Sequence, residues 1–427
     1  MRIENLRLER NGGRTRSIAS VTWEDCDRPP QDLFFETNAE FAGGLSCDPD
    51  AFVVAALLPA IRHGESRLLV EGELCPYLGV GLSTAQALLR DWYGLHRRVI
   101  PIEAKTRSNR RSGPDERAAI FMTGGVDSLA ALRANRLNYP LEHPASVRDG
   151  ILVFGLEVAN ESAFQHVVDL LLPLAAEADF KLLPVYTNAR YLEDDWVFWI
   201  DEFEGAVLSS VAHALSHRLT SVYIASSFDY RYLHPHGSHP LLDPNFSSFD
   251  VRVHHDGVAF SRLEKTKLLT QWEVALKHLR VCNKSERYQA GILNCGHCEK
   301  CLRTLTALFL LGKLEYAAAF AHREVTPDLI RANANLSKTD FPFWDEMIQP
   351  LKRRGHDDLA HAIEYAVAFY RGELGWRGRL KAFDRRYLNG GLARLKKSLR
   401  RQEEWNAILH SYMPPSLPAT LEVCGYF

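Results

Sequence analysis

The stretch "AAIFMTGGVDSLAAL", residues 118–132, constrains the fold more than any other. Its apolar run halts at two glycines and an acid and then resumes with helical character, so a buried strand ends where a helix begins. Helix starts carry unpaired backbone N–H groups and the positive end of the dipole, which together attract an anion. Glycines let the main chain come close to a phosphate, and Thr123 and Ser128 add hydroxyl donors. Asp127 either holds Mg²⁺ or orders the loop. The competing explanation is a plain turn, with glycines bending the chain and Asp127 capping the helix. The strand before and the helix after favour the phosphate site. The loop is not a Walker A motif, because the spacing is too short and no Lys-Ser/Thr follows, and it is not the GxGxxG dinucleotide signature.

From that junction onward, apolar strands and helices alternate. "RAAIFM", "GILVFGLEV", "FKLLPVYTN" and "SVYIASSF" read as strands, and "SAFQHVVDLLLPLAAEA" and "GAVLSSVAHALSHRL" as helices between them. Such alternation indicates parallel βαβ units and an α/β fold with an open, doubly wound parallel sheet, whose ligands sit at the carboxyl ends of the strands. Residues 1–104 mix short strands with helices and read as an α+β N-terminal domain with no recognisable chemistry. Residues 105–117 ("KTRSNRRSGPDER") have the composition of a linker, residues 118–312 form the main domain, and residues 313–427 form a helical C-terminal region. Within that region residues 371–401 are strongly basic. They fit a helix docked on its own domain better than a nucleic-acid or membrane contact.

At 427 residues the chain is long enough for two or three cores. It contains no apolar run of about 18 residues to span a bilayer, and its start lacks the core of a signal peptide. A cytoplasmic protein is expected. A net charge of -2 gives no overall pull toward nucleic acid, which is not an expected partner.

The cysteines are unevenly spread. Cys26, Cys47, Cys75 and Cys424 are scattered, whereas Cys282, Cys295, Cys298 and Cys301 form a C-x12-C-x2-C-x2-C pattern. In a reducing compartment such clustering reads as metal binding before disulfides. Four thiolates suit tetrahedral Zn²⁺. An iron–sulfur cluster is the sharper rival, but the Cys-Pro ending of ferredoxins is absent. His297 could replace one cysteine but is not needed, and structural zinc is favoured.

"TGGVDS" resembles the SGGxDS loop of the PP-loop ATP pyrophosphatases, with Thr123 in place of the usual serine. "CGHCEKCLRT", preceded by Cys282, resembles the end of the 7-cyano-7-deazaguanine synthase-like branch of that superfamily. The resemblance covers about residues 117–312. It implies an adenine nucleotide alpha hydrolase-like, Rossmann-like fold with a zinc-binding insertion. It also implies that Thr123, Gly124, Gly125, Val126, Asp127 and Ser128 grip the β- and γ-phosphates of ATP while AMP passes to a substrate oxygen. In that superfamily a basic residue contacts the departing pyrophosphate. Lys265 is the first candidate, with Arg262 and Lys267 nearby, against the bland alternative of a solvated helix face. The segment "ASSFDYRYLHPHGSHPLLDPNFSSFD", with Asp229, His234, His236, His239 and Asp243, follows the fourth strand where a substrate would lie, and it departs from the deazaguanine enzymes.

The expected activity is an ATP-dependent C–N ligase that forms AMP and pyrophosphate. It would adenylate a carboxylate or amide-like oxygen of a small acid, after which ammonia or an amine displaces AMP. Asp127, Ser128 and Lys265 are the expected catalytic residues, with ATP, Mg²⁺ and Zn²⁺ as cofactors. Alternatives are conjugation of a deazapurine-type acid to a partner protein, a sulfurtransferase using the same adenylation, and a non-catalytic adenine-nucleotide sensor. A protein substrate and a homodimer stay open.

Overall fold

The computed structural model describes residues 1–94, 97–108, 117–156, 160–282, 292–334, 336–374 and 391. It divides into two units, Met1–Ala368 and Phe369–Phe427. The basic segment 371–401 and Cys424 fall almost entirely outside the described residues.

Ten strands form one mostly parallel sheet. In chain order they are β1 (Arg2–Asn11), β2 (Arg14–Thr22), β3 (Gln31–Asn38), β4 (Leu68–Leu74) and β5 (Ile102–Thr106), followed by β6 (Ala118–Phe121), β7 (Val147–Phe154), β8 (Lys181–Thr187), β9 (Ser221–Ala225) and β10 (Arg252–Asp256). The helices are α1 (Pro49–Arg62), α2 (Pro76–Tyr93), α3 (Val126–Asn138), α4 (Glu161–Glu177), α5 (Trp196–Phe198) and α6 (Glu204–Ala214), then α7 (Arg262–Leu269), α8 (Glu273–His278), α9 (Glu299–Leu310), α10 (Pro327–Asn333), α11 (Phe341–Arg353) and α12 (Asp357–Leu374).

Strands β10-β9-β6-β7-β8 are all parallel. Their order reverses between β6 and β9, the place where an open α/β sheet leaves a crevice at its carboxyl edge. Successive side chains point to opposite faces of a strand, and both faces here are apolar. Ala119, Phe121, Ile151 and Val153 enter one core with residues of α1 and α6. Ile120, Met122 and Leu152 enter another with residues of α3, α4 and α9. That pattern explains the unbroken apolar runs of these strands.

Residues 1–104, expected as a separate α+β domain, instead extend the same sheet. β3 pairs antiparallel with β8, and β2, β1, β4 and β5 continue outward. Side chains seal the seam: Thr37 Oγ1 donates to Pro184 O at 2.8 Å and Thr187 Oγ1 donates to Phe34 O at 2.7 Å. Helix α1, buried along nearly its whole length, shares one core with α6, so no solvent-filled boundary separates the two halves. The expected linker is also anchored at its ends. Lys105 and Thr106 close β5, and Arg107 pairs with Asp50 at 3.1 Å and Asp250 at 2.5 Å. Residues 109–116 lie outside the described residues.

Among the described residues beyond 312, the chain forms α10, α11 and α12. Ile330, Trp344, Leu351 and Ile363 form a third core with Leu302 and Leu310 of α9. Among the described residues no helix is long and apolar enough to cross a membrane.

Candidate functional site

The glycine loop lies at the carboxyl end of β6, at the point of strand reversal. Gly124 has φ +75°, which favours glycine, and a Cβ there would stand 2.8 Å from Leu171 Cδ2, so that methyl would have to shift to admit a side chain. Gly125 caps α3, and Val126, Asp127 and Ser128 form its first turn. Their N–H groups have no partners inside the helix. Thr123 Oγ1 accepts the Gly125 N–H at 3.3 Å and lies 3.4 Å from Ser128 Oγ, which donates to Gly125 O at 3.2 Å. The two hydroxyls hold the loop as a closed ring.

Three cations meet this ring. A capping box formed by Ser261 and Glu264 starts α7 and directs its first turn at the loop. Lys265 is buried, and its ammonium donates to Ser226 O at 2.5 Å and to Asp127 Oδ1 at 3.3 Å. Arg262 pairs with the other oxygen of Asp127. Burial pushes the Arg262 guanidinium below its usual range, and Asp127 opposes that shift. Lys267, on the same helix, is exposed and does not join the site. Arg280 is the third cation: its backbone N–H donates to Gly124 O at 2.8 Å and its Nη1 to Thr123 O at 3.1 Å. Sequence reasoning missed Arg280, because nothing in its local spacing marks it.

Both Asp127 oxygens already face cations. These contacts fit the loop-ordering role, and the remaining lone pairs of the two oxygens leave a metal contact open.

A cavity of about 230 Å³ opens beside the loop, at the ends of β6, β7 and β9. Its apolar wall includes Phe121, Ile151, Val153, Leu208 and Trp199. Trp199 begins a π-helical segment, Trp199–Phe203, which joins α5 to α6; such wide turns are frequent at functional sites. His234, His236 and His239, singled out in the sequence, also line it. Burial pushes all three below the usual histidine range, His236 to about 4, so these rings are uncharged at neutral pH. Asp229 does not line the cavity and pairs with Arg231 at 2.9 Å. Asp243 is fully buried and carries His255 on its carboxylate at 2.7 Å. His255, at the end of β10, also lines the cavity. Sequence reasoning passed it over, because its strand carries too few buried positions to be read as one.

The four cysteines of the predicted metal motif converge. The ligand sulfurs of Cys282, Cys295, Cys298 and Cys301 all lie within 4.8 Å of one another. Sulfur separations of 3.7 Å (Cys282 to Cys295) and 3.9 Å (Cys282 to Cys298, Cys295 to Cys301) match the edge of about 3.8 Å expected of a tetrahedron with Zn–S bonds of about 2.3 Å. The Cys298 backbone N–H donates to Cys295 Sγ at 3.4 Å, as thiolate knuckles require. Hydrogen bonding to Cys282 pushes the Cys298 thiol up to about 12, and Cys301 is raised as well. Sulfurs this crowded carry charge only when a cation sits among them, and the donor set fits a metal ion such as zinc. His297 lies outside the cluster, its ring packed on His322 at 4.3 Å.

Asn294 ties the cluster to its surroundings. Its Oδ1 accepts the N–H groups of Val281 and Cys282 at 2.8 and 3.1 Å, and its Nδ2 donates to Leu279 O and Ala319 O at 2.7 and 3.0 Å. The metal cluster is thereby joined through residues 279–282 to Arg280 and the glycine loop.

No protein-family model, curated protein or solved structure matches the chain.

Proposed function

We propose that the protein is an ATP-dependent ligase of the PP-loop type, which adenylates a carboxylate or amide-like oxygen and then passes the activated acyl group to a nitrogen nucleophile. The observation that carries this reading is the convergence of Lys265, Arg262 and Arg280 on the ring between Thr123 and Ser128, beside a cavity. ATP would rest its terminal phosphates on the amides of residues 124–128. A substrate oxygen attacks the α-phosphorus, the bond to the bridging oxygen breaks, and pyrophosphate departs with that electron pair. Cations fixed in advance around the leaving phosphates stabilise the spreading negative charge. A lysine ammonium has three donors. Lys265 uses two of them on Asp127 and Ser226, which leaves the third for a phosphate oxygen.

Magnesium would arrive on the phosphates. Zinc in the four-cysteine cluster would brace the Arg280 segment and take no part in bond making. Sulfur transfer needs a thiol at the cavity, and the scattered cysteines that are described are placed elsewhere: Cys47 lies 3.4 Å from Ser17 Oγ, and Cys75 caps α2. The small-molecule ligase therefore ranks ahead of the sulfurtransferase.

The test is ATP–pyrophosphate exchange over a panel of carboxylic acids that includes a deazapurine acid. Exchange stimulated by one acid class is expected. ATP binding with no exchange for any acid would establish the sensor and overturn the ligase.

A further inference from the structure

The cavity holds one polar device that phosphate chemistry leaves unexplained. Asp243 is fully buried and accepts three hydrogen bonds: from the His239 N–H at 3.2 Å, the Ser238 hydroxyl at 2.7 Å and His255 Nδ1 at 2.7 Å. An ionised carboxylate only accepts, so Nδ1 of His255 carries a proton, and in a neutral ring the lone pair then sits on Nε2. That Nε2 is buried and has no partner among the described residues, although the ring lines the cavity and its side chain is only 3% exposed. A buried ring nitrogen without a partner is costly and calls for a donor when the site fills.

The arrangement is also locked from below. Gly205, at the start of α6, donates its N–H to Gly237 O at 2.7 Å, and a Cβ on Gly205 would fall 2.2 Å from Asp243 Oδ1. The loop carrying His236, Ser238 and His239 is thus pressed onto Asp243, and Asp243 fixes the His255 ring. A carboxylate that sets the tautomer of a histidine while the other nitrogen faces a substrate space is the orientation a general base requires.

We propose that His255, oriented by Asp243, accepts the proton released when the nitrogen nucleophile attacks the acyl adenylate. This assignment rests on the adenylation reading above. Neutral ammonia or an amine adds to the acyl carbon, forming the C–N bond, and its nitrogen becomes cationic and acidic. Nε2 takes one proton from it. The C–O bond to AMP then breaks, AMP leaves with the electron pair on its phosphate oxygen, and His255 passes the proton to solvent. Asp243 is a positioning residue in this scheme.

Two measurements on the full chain test the proposal. Histidine ¹⁵N NMR without any acid, with the signal assigned by its loss in His255→Ala, reads the tautomer. The expected result is Nδ1–H in the wild type and a shift toward Nε2–H in Asp243→Asn, whose amide donates to Nδ1. An imidazolium or an Nε2–H tautomer in the wild type at neutral pH would overturn the assignment. In the second measurement, the acid giving the strongest pyrophosphate exchange is supplied with ammonium chloride. The ratio of amide formation to exchange is expected to fall about a hundredfold in His255→Ala, as loss of a general base does, and to recover in part with added imidazole. An unaltered ratio, or no imidazole effect, would remove His255 from the reaction. The tautomer experiment needs no acid, so it can fail while adenylation stands, and adenylation can fail while the tautomer is as expected.

Discussion

The backbone N–H of Arg280 donates to the carbonyl of Gly124 over 2.8 Å, two residues before the first cysteine of the metal cluster. The same arginine's guanidinium holds Thr123 O at 3.1 Å. The segment that enters the sulfur cluster is therefore hydrogen-bonded to both sides of the glycine loop's tightest turn, and metal binding and loop geometry are linked through it.

Removing the metal should loosen that clamp. Cys295→Ser is expected to lose bound metal, measured by elemental analysis, and to lower the melting temperature. ATP affinity measured by calorimetry is expected to fall about tenfold, the scale of one lost hydrogen-bonded contact.

Gly124→Ala meets both a positive φ and the Leu171 methyl at 2.8 Å. A non-glycine residue in that region costs about 1–3 kcal/mol. Chemical denaturation should report a loss of that order, and ATP binding should weaken with it, because the turn that needs the positive φ is the one Arg280 clamps.

The two lysines of "EKTK" separate cleanly. Lys265→Ala should lower exchange by about 10²–10³, the range for removing one pre-oriented charge donor. Lys267→Ala, at an exposed position, should leave it within about twofold. Equal effects would show that the charge of the helix as a whole matters and not the contact with Asp127.

Acid should destabilise the protein through its buried histidines. His236 is held at about 4 by burial first and by the neighbouring His234 second, against an unfolded value near 6.5. The unfolded chain thus binds the extra proton between those values. The contribution to stability is complete above pH of about 6.5 and is lost as pH falls to about 4, amounting to at most about 3 kcal/mol. Urea melts should therefore flatten over this window in His236→Asn relative to the wild type.

Much of this was legible in advance, for local reasons. A strand with both faces buried draws apolar residues on both, so β6, β8 and the second half of β7 stood out as continuous runs. Two C-x2-C steps place three sulfurs within one turn and a helix start, which is close to a complete site before any tertiary contact forms. β10 was missed because "RVHHD" carries only one fully buried residue, Val253, in five. His255 and Arg280 were missed for a related reason. Each acts through a partner outside its own element, Asp243 or Gly124, and no spacing rule connects them.

The sequence by itself determined the pieces with short-range causes: the strand–glycine–helix junction, the alternation of buried strands and helices, and the grouping of the cysteines. Tertiary structure alone decided that the first hundred residues join the same sheet, that Lys265 and Arg280 meet the loop, and that Asp243 turns His255 toward the cavity. The physical reason is that periodicity and capping act over a few residues and leave a signature in composition. Strand edges pair through backbone groups that every residue possesses, and charges converge through packing, so neither leaves a local mark.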